Sequence, residues 1–156
     1  MSAQGYYDNS GIGSNSFDQA VQFSATGNAA LTSTMKQKGI KLVTTTNSST
    51  SYMGFNMLDP VVGGYSERAR YLRQAISIAF DYEEYISIFI NGRGIPAQGA
   101  IPPGIFGYQQ GEGGINSVVY KWNGEEPVRR SLDEAKALLA KAGYENGIDK
   151  STNKPL

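Results

Sequence analysis

The side chains able to do covalent chemistry are few. The 156-residue sequence contains no cysteine and no histidine. That excludes thiolate nucleophiles, disulfides, Cys/His zinc sites, haem ligation through histidine and any Ser-His-Asp triad. Carboxylates occur as two adjacent pairs. Glu83 and Glu84 fall in the first turn of a predicted helix, where negative charge suits the helix dipole better than it suits acid/base work. Glu125 and Glu126 lie in a polar turn and are expected to be solvated. Arg129 and Arg130 precede the last predicted helix and could meet an anion, but a solvated basic pair is the expectation. Gly92-Arg93-Gly94 is too short for a phosphate loop, and neither a P-loop lysine pattern nor a dinucleotide fingerprint is present. Asp59 has no companions at calcium-loop spacing, and Trp122 reads as a core or loop anchor. The residues therefore predict no metal, no cofactor and no enzyme.

Composition narrows the class further. Fourteen basic residues balance fourteen acidic ones, which argues against a nucleic-acid partner or a polybasic membrane surface. The length suits one domain or part of a larger one. No run approaches the ~20 apolar residues that span a bilayer. Met1-Ser2-Ala3-Gln4-Gly5 is not a basic segment followed by an apolar one, so an export signal would lie outside this chain. The 19 glycines exceed the average usage of about 7% and predict many loops.

Residues 1–16 lack periodicity and read as a loop or arm. Ser16 can cap a short helix carrying Phe17, Ala20, Val21 and Ser24, ended by Gly27-Asn28. A second short helix fits residues 31–38, stopped by Gly39. Residues 40–46 (IKLVTTT) are dense in β-branched side chains and predict a strand. Residues 50–57 predict another, with Met53, Phe55 and Met57 toward the core and Tyr52, Gly54 and Asn56 on the opposite face. Two readings of that second face stand: a lining for a solvated groove, and an ordinary solvent face. A long helix opens at Ser66 and presents Leu72, Ala75, Ile76 and Ala79 as one stripe. Asp81-Tyr82-Glu83-Glu84 has the form of a capping box, so a new helix should start there, bury Tyr85, Ile86, Phe89 and Ile90, and end at Asn91-Gly92. Prolines and glycines make residues 92–127 a long loop, with Ile101, Ile105, Phe106, Tyr108 and Trp122 available to pin it. Ser131-Leu132-Asp133-Glu134 is a second capping box, before a helix with Leu132, Ala135, Leu138, Leu139 and Ala142 on one face and Gly143 as its stop. A further strand is expected near Lys154-Pro155-Leu156.

A series of segments in order carries a family resemblance. Tyr52-Met53-Gly54-Phe55-Asn56 is followed by Leu72-Arg73-Gln74-Ala75-Ile76-Ser77-Ile78-Ala79-Phe80-Asp81. Asn91-Gly92-Arg93-Gly94, Pro96-Ala97 and Ile101-Pro102-Pro103-Gly104 with Gly107-Tyr108 come next. Glu134-Ala135-Lys136-Ala137-Leu138-Leu139-Ala140-Lys141-Ala142-Gly143-Tyr144 closes the series. Over residues 40–156 this order and spacing resembles the bacterial extracellular solute-binding proteins of family 5, the oligopeptide- and dipeptide-binding components of ABC importers. The resemblance implies an α+β (mixed α/β) fold forming part of one lobe of a two-lobed, periplasmic-binding-protein type II-like architecture. It implies a periplasmic or cell-surface receptor that takes a peptide or other small solute, closes by hinge motion and serves ABC permease subunits. Such a clamp needs rigid helices, polar groove-lining segments and packed loops, but no nucleophile.

Residues 1–156 are accordingly expected to form a single partial domain, with 1–39 as N-terminal loop and short helices and 40–156 as the family-like lobe segment. By resemblance the ligand-binding residues are Tyr52, Gly54 and Asn56. Arg73, Asp81 and Pro102-Pro103 also match family positions and are assigned to helix pairing, capping and loop shape. Family members are longer than this chain, and in the peptide-binding members the acidic residue that pairs with the peptide α-ammonium lies beyond the point matching Leu156. A lone lobe lacks the enclosure that desolvates a ligand, so weak or no binding is expected of this chain alone. Two alternatives stay open. One is another solute, a sugar or a metal complex, with soft or imidazole ligation disfavoured by the missing Cys and His. The other is an interaction module whose isolated chain dimerises, which size-exclusion chromatography would reveal.

Overall fold

The structure, a computed structural model, describes residues 6, 8–23, 29–45 and 47–156. Helices and short antiparallel hairpins are mixed along the chain, an α+β arrangement. The chain forms two compact units, Met1–Asn47 with Tyr85–Gly94, and Ser48–Glu84 with Ile95–Leu156.

In the first unit, helix α1 (Phe17–Ala20) is a single turn. The expected continuation through Val21 is instead strand β1 (Val21–Phe23), paired antiparallel with β2 (Ala29–Leu31) in the register Val21↔Leu31. The physical reason is the pairing itself. A β-branched Val21 and an aromatic Phe23 suit a pleated ladder, and Phe17, Val21 and Leu31 are buried. Ser24 and the expected stop at Gly27-Asn28 lie outside the described residues. Helix α2 (Ser33–Gln37) is shorter than expected. It closes where predicted: Gly39 takes φ 71°, its N–H donates to Lys36 O, and Ile40 N–H donates to Met35 O. Those two bonds satisfy carbonyls that a helix end otherwise leaves bare.

Neither predicted strand between residues 40 and 57 forms. Residues 40–45 run without turn, bend or ladder, Thr46 lies outside the described residues, and residues 51–56 are likewise free of turns and unpaired. Met53 and Met57 do not face a core but are exposed, and Phe55 is half-buried. Alternation and β-propensity supply a surface, not a partner, and a strand exists only where one pairs with it.

The second unit is built on α3 (Glu67–Ala79) and α5 (Leu132–Lys141), which pack on each other. The Ser66 hydroxyl accepts the Ala69 N–H and starts α3 as expected. The buried stripe is rotated from the predicted one: Ala69, Leu72, Ala75 and Ile78 are buried, Ile76 is half-buried and Ala79 is exposed. Leu72 packs with Ala142 and Tyr144 at the centre, against Val62, Tyr71, Ile76 and Leu139. On α5 the predicted capping box is complete: Ser131 Oγ accepts the Glu134 N–H, and Glu134 accepts the Ser131 N–H. Ala135 and Ala142 are buried and Leu138 and Leu139 half-buried, but Leu132, in the first turn, is exposed. Gly143, at φ 82°, ends the helix.

Helix α4 (Tyr82–Phe89) starts at the expected cap, with Asp81 Oδ1 accepting the Glu84 N–H at 2.8 Å. The burial expected of it is not found. Tyr85, Ile88 and Phe89 are exposed, and Ile86 and Ile90 are half-buried. Its end is as expected, at Asn91 (φ 51°) and Gly92 (φ 68°).

Residues 95–119 are irregular apart from a 3-10 turn at Glu112–Gly114, as their prolines and glycines dictate, but the expected anchors do not hold them. Ile101, Ile105, Phe106 and Tyr108 are exposed, and Trp122 is half-buried. The anchoring comes from buried Val119 and Tyr120, and from Gln98 Oε1, which accepts the Asn116 N–H. An unexpected hairpin closes the region, β3 (Tyr120–Trp122) with β4 (Pro127–Arg129). The chain ends in a small hairpin of β5 (Ile148–Asp149) and β6 (Lys154–Pro155), consistent with the strand expected there.

Candidate functional site

Tyr52, Gly54 and Asn56 lie on one segment of the second unit that has no turn or bend, and what positions them is the chain just after it. Asn56 Oδ1 accepts the Leu58 N–H at 3.1 Å, and Asn56 O accepts the Asp59 N–H. Asp59 Oδ1 then takes the N–H groups of Val61 and Val62 at 2.8 and 2.9 Å. Those two donors hold the Asp59 carboxyl below its ordinary pKa, Val62 contributing most. Gly63 and Gly64 return N–H bonds to Asp59 O and Met57 O. A side chain at buried Gly63 would collide with both of those carbonyl oxygens, so only glycine fits. Arg73 completes the knot from α3, donating through Nη1 to Val62 O at 2.7 Å and Gly64 O at 3.0 Å. Its role is therefore to fasten this turn to α3, in place of the helix pairing expected of it.

Upstream of that knot the segment is open. Tyr52 is 90% exposed, and Gly54 and Asn56 are exposed as well. Among the described residues, no backbone N–H or C=O of residues 51–55 has a hydrogen-bond partner. The Asn56 carboxamide oxygen is used in the turn, and its amide nitrogen has no partner among the described residues. The three candidates thus share one strip without turn or bend, whose backbone donors and acceptors are unused over residues 51–55 among the described residues.

A second polar cluster joins α3, α4 and the β3–β4 hairpin. Arg129 pairs with Asp81, lies 4.0 Å from Glu83, and donates to Ile78 O at 2.7 Å. Tyr120 donates its hydroxyl to Glu83 Oε1 at 2.7 Å. Burial, followed by the Glu83 carboxylate, pushes the Tyr120 phenol well above its usual pKa. Arg129 is thus a half-buried brace, not the solvated cation expected, and Glu83 is a hydrogen-bond acceptor as well as a first-turn charge. Arg130 is likewise engaged, with Glu134 and Ser117 O. The Asn123 carboxamide caps the turn that carries Glu125 and Glu126. Sequence reading missed this brace because its members are far apart in the chain; only Asp81 carried a local signal, its cap.

Among the described residues, no group of three or more Asp and Glu side chains is placed to hold a metal ion. An open depression of about 220 Å³ is lined by Arg68, Lys141, Asp149 and their neighbours, none of them from the 52–56 strip. Most of its charges are paired, Arg68 with Asp149 and Ala142 O, and Lys150 with Glu145, while Lys141 lies over the Tyr71 ring, 6.0 Å from its centroid. No described helix is long and apolar enough to cross a membrane.

Comparison with known proteins supplies what the geometry leaves open. The family model described as "Bacterial extracellular solute-binding proteins, family 5 Middle" matches residues 14–155. No curated protein and no solved structure matches the chain.

Proposed function

Because the chain belongs to the family 5 bacterial extracellular solute-binding proteins, a family that generally binds without catalysing, we propose that its solute is a peptide. In this reading the chain supplies part of one lobe of a two-lobed clamp outside the cytoplasm, and the closed clamp delivers its cargo to the permease subunits of an ABC importer. Tyr52, Gly54 and Asn56 are the ligand-side residues.

The observation that supports the peptide reading is the unpaired backbone at residues 51–55, which runs without turn or bend. An extended peptide laid beside it gains main-chain hydrogen bonds whatever its side chains, which is the strand-addition mode of recognition. Gly54 lets the partner backbone approach, since the space about it is occupied only by the Tyr52 ring. Tyr52 offers an apolar face with a polar tip. A sugar would draw on side-chain hydroxyl and amide groups instead and leave the unused backbone unsatisfied.

With the strip exposed on this chain, a ligand stays hydrated, and affinity is low. Calorimetric titration at high concentration tests both parts. Short mixed-sequence peptides are expected to bind weakly, while oligosaccharides and nickel chelates give no saturable heat. Saturable sugar or chelate binding with no peptide response overturns the assignment of solute. Micromolar or tighter peptide binding by this chain overturns the claim that enclosure is required.

A further inference from the structure

We propose that Asn123-Gly124, in the turn between β3 and β4, is a site of spontaneous backbone rearrangement in which Asn123 cyclises onto its own chain. The sequence holds three Asn-Gly pairs, Asn91-Gly92, Asn123-Gly124 and Asn146-Gly147. In each, glycine leaves the following backbone nitrogen without a side chain to shield it. The glycine nitrogen gives up its proton to solvent base and attacks the Asn Cγ. The carboxamide C–N bond then breaks, ammonia leaves with a solvent proton, and a five-membered imide remains. Water opens that imide at either carbonyl, giving aspartate or the isomer whose backbone runs through Cβ and Cγ.

The fold treats the three pairs differently. The Gly92 N–H donates to Ile86 O, and the Gly147 N–H donates to Tyr144 O, each at 2.9 Å. Both nucleophiles are therefore engaged. The Gly124 N–H has no acceptor among the described residues. Asn123 Oδ1 meanwhile accepts the N–H groups of both Glu125 and Glu126, each at 2.9 Å. Negative charge develops on that oxygen when nitrogen adds to Cγ, so two preset donors face the atom that needs them. Asn123 and Gly124 are exposed, and the space beside Gly124 is open, so water and base have access. Aspartate at 123 preserves the acceptor that shapes the turn. The isomer lengthens the turn by one backbone atom and disturbs the Tyr120↔Arg129 register that places the Arg129 brace.

The test is peptide mapping by mass spectrometry after incubation of the intact chain at mildly alkaline pH, with and without denaturant. In the folded protein Asn123 is expected to convert several-fold faster than Asn91 and Asn146. In denaturant the three rates should converge, because the local sequence is then all that distinguishes them. Asn91 or Asn146 leading in the folded protein overturns the proposal. So does an unchanged lead of Asn123 in denaturant, which would assign the preference to sequence context.

Discussion

Arg73 shows how much of the candidate strip depends on one side chain. Its guanidinium holds two carbonyls of the turn that terminates the strip, Val62 O and Gly64 O. Charge-assisted bonds of this kind are individually worth more than neutral ones. Arg73→Ala is expected to cost about 2 kcal/mol of stability in denaturant unfolding and to weaken peptide binding further, although Arg73 touches no ligand. Lysine in its place lacks the planar fork and should recover only part of the loss. Glu134 carries a different residue-scale consequence. Lys121 foremost, then the Ser131 N–H and Arg130, hold its carboxyl at about 2, against an ordinary 4.5. A lowered native pKa means the unfolded chain binds the proton first as pH falls. The Glu134 contribution is therefore complete above the ordinary carboxylate value and drains away between 4.5 and about 2. Glu134→Gln should lower the melting temperature at neutral pH and flatten its fall through that acid window. A variant as acid-sensitive as the parent would contradict this. The Glu134 carboxylate is half-buried and its Lys121 partner exposed, so the effect should also shrink in high salt.

At the scale of elements, helix ends were legible in the sequence and sheet partners were not. Ser66, Asp81 and Ser131 each supply the cap their types predict, and Gly39 and Gly143 supply the stops, because capping is settled within four or five residues of chain. The strips at residues 40–46 and 50–57 had strand-like composition, but no local rule provides the neighbour that makes a strand. The β3–β4 hairpin had a usable local signal in Asn123-Gly124, hidden by the proline- and glycine-rich stretch before it. Helix faces were read with a phase error. Ala69 and Ile78 are buried on α3 where Ile76 and Ala79 were expected, because the neighbours that choose a helix face come from distant parts of the chain. Leu72 sits at the middle of this contact and is 1% exposed. Leu72→Ala should cost about 3 kcal/mol, through lost burial and an unfilled cavity. Leu132→Ala, on the exposed first turn of α5, should change stability little. Equal losses at the two positions would show that α3 and α5 do not form the core described.

For the whole molecule, family membership and fold class were legible because several short segments recur in fixed order, each weak and together specific. The candidate strip was legible only through that resemblance. Its residues have an ordinary composition, and their distinguishing property, a row of unpaired backbone groups, appears only once the chain has folded. The reading that joins these scales is a binding surface without reactive groups, one that grips an extended chain by its backbone and releases it unaltered. Amide-resolved NMR during titration with a short peptide, followed by mass analysis of the recovered peptide, tests this most directly. The account predicts saturable shifts centred on residues 51–57 and a peptide returned intact. Shifts confined to other regions, or a peptide returned cleaved or modified, would contradict it.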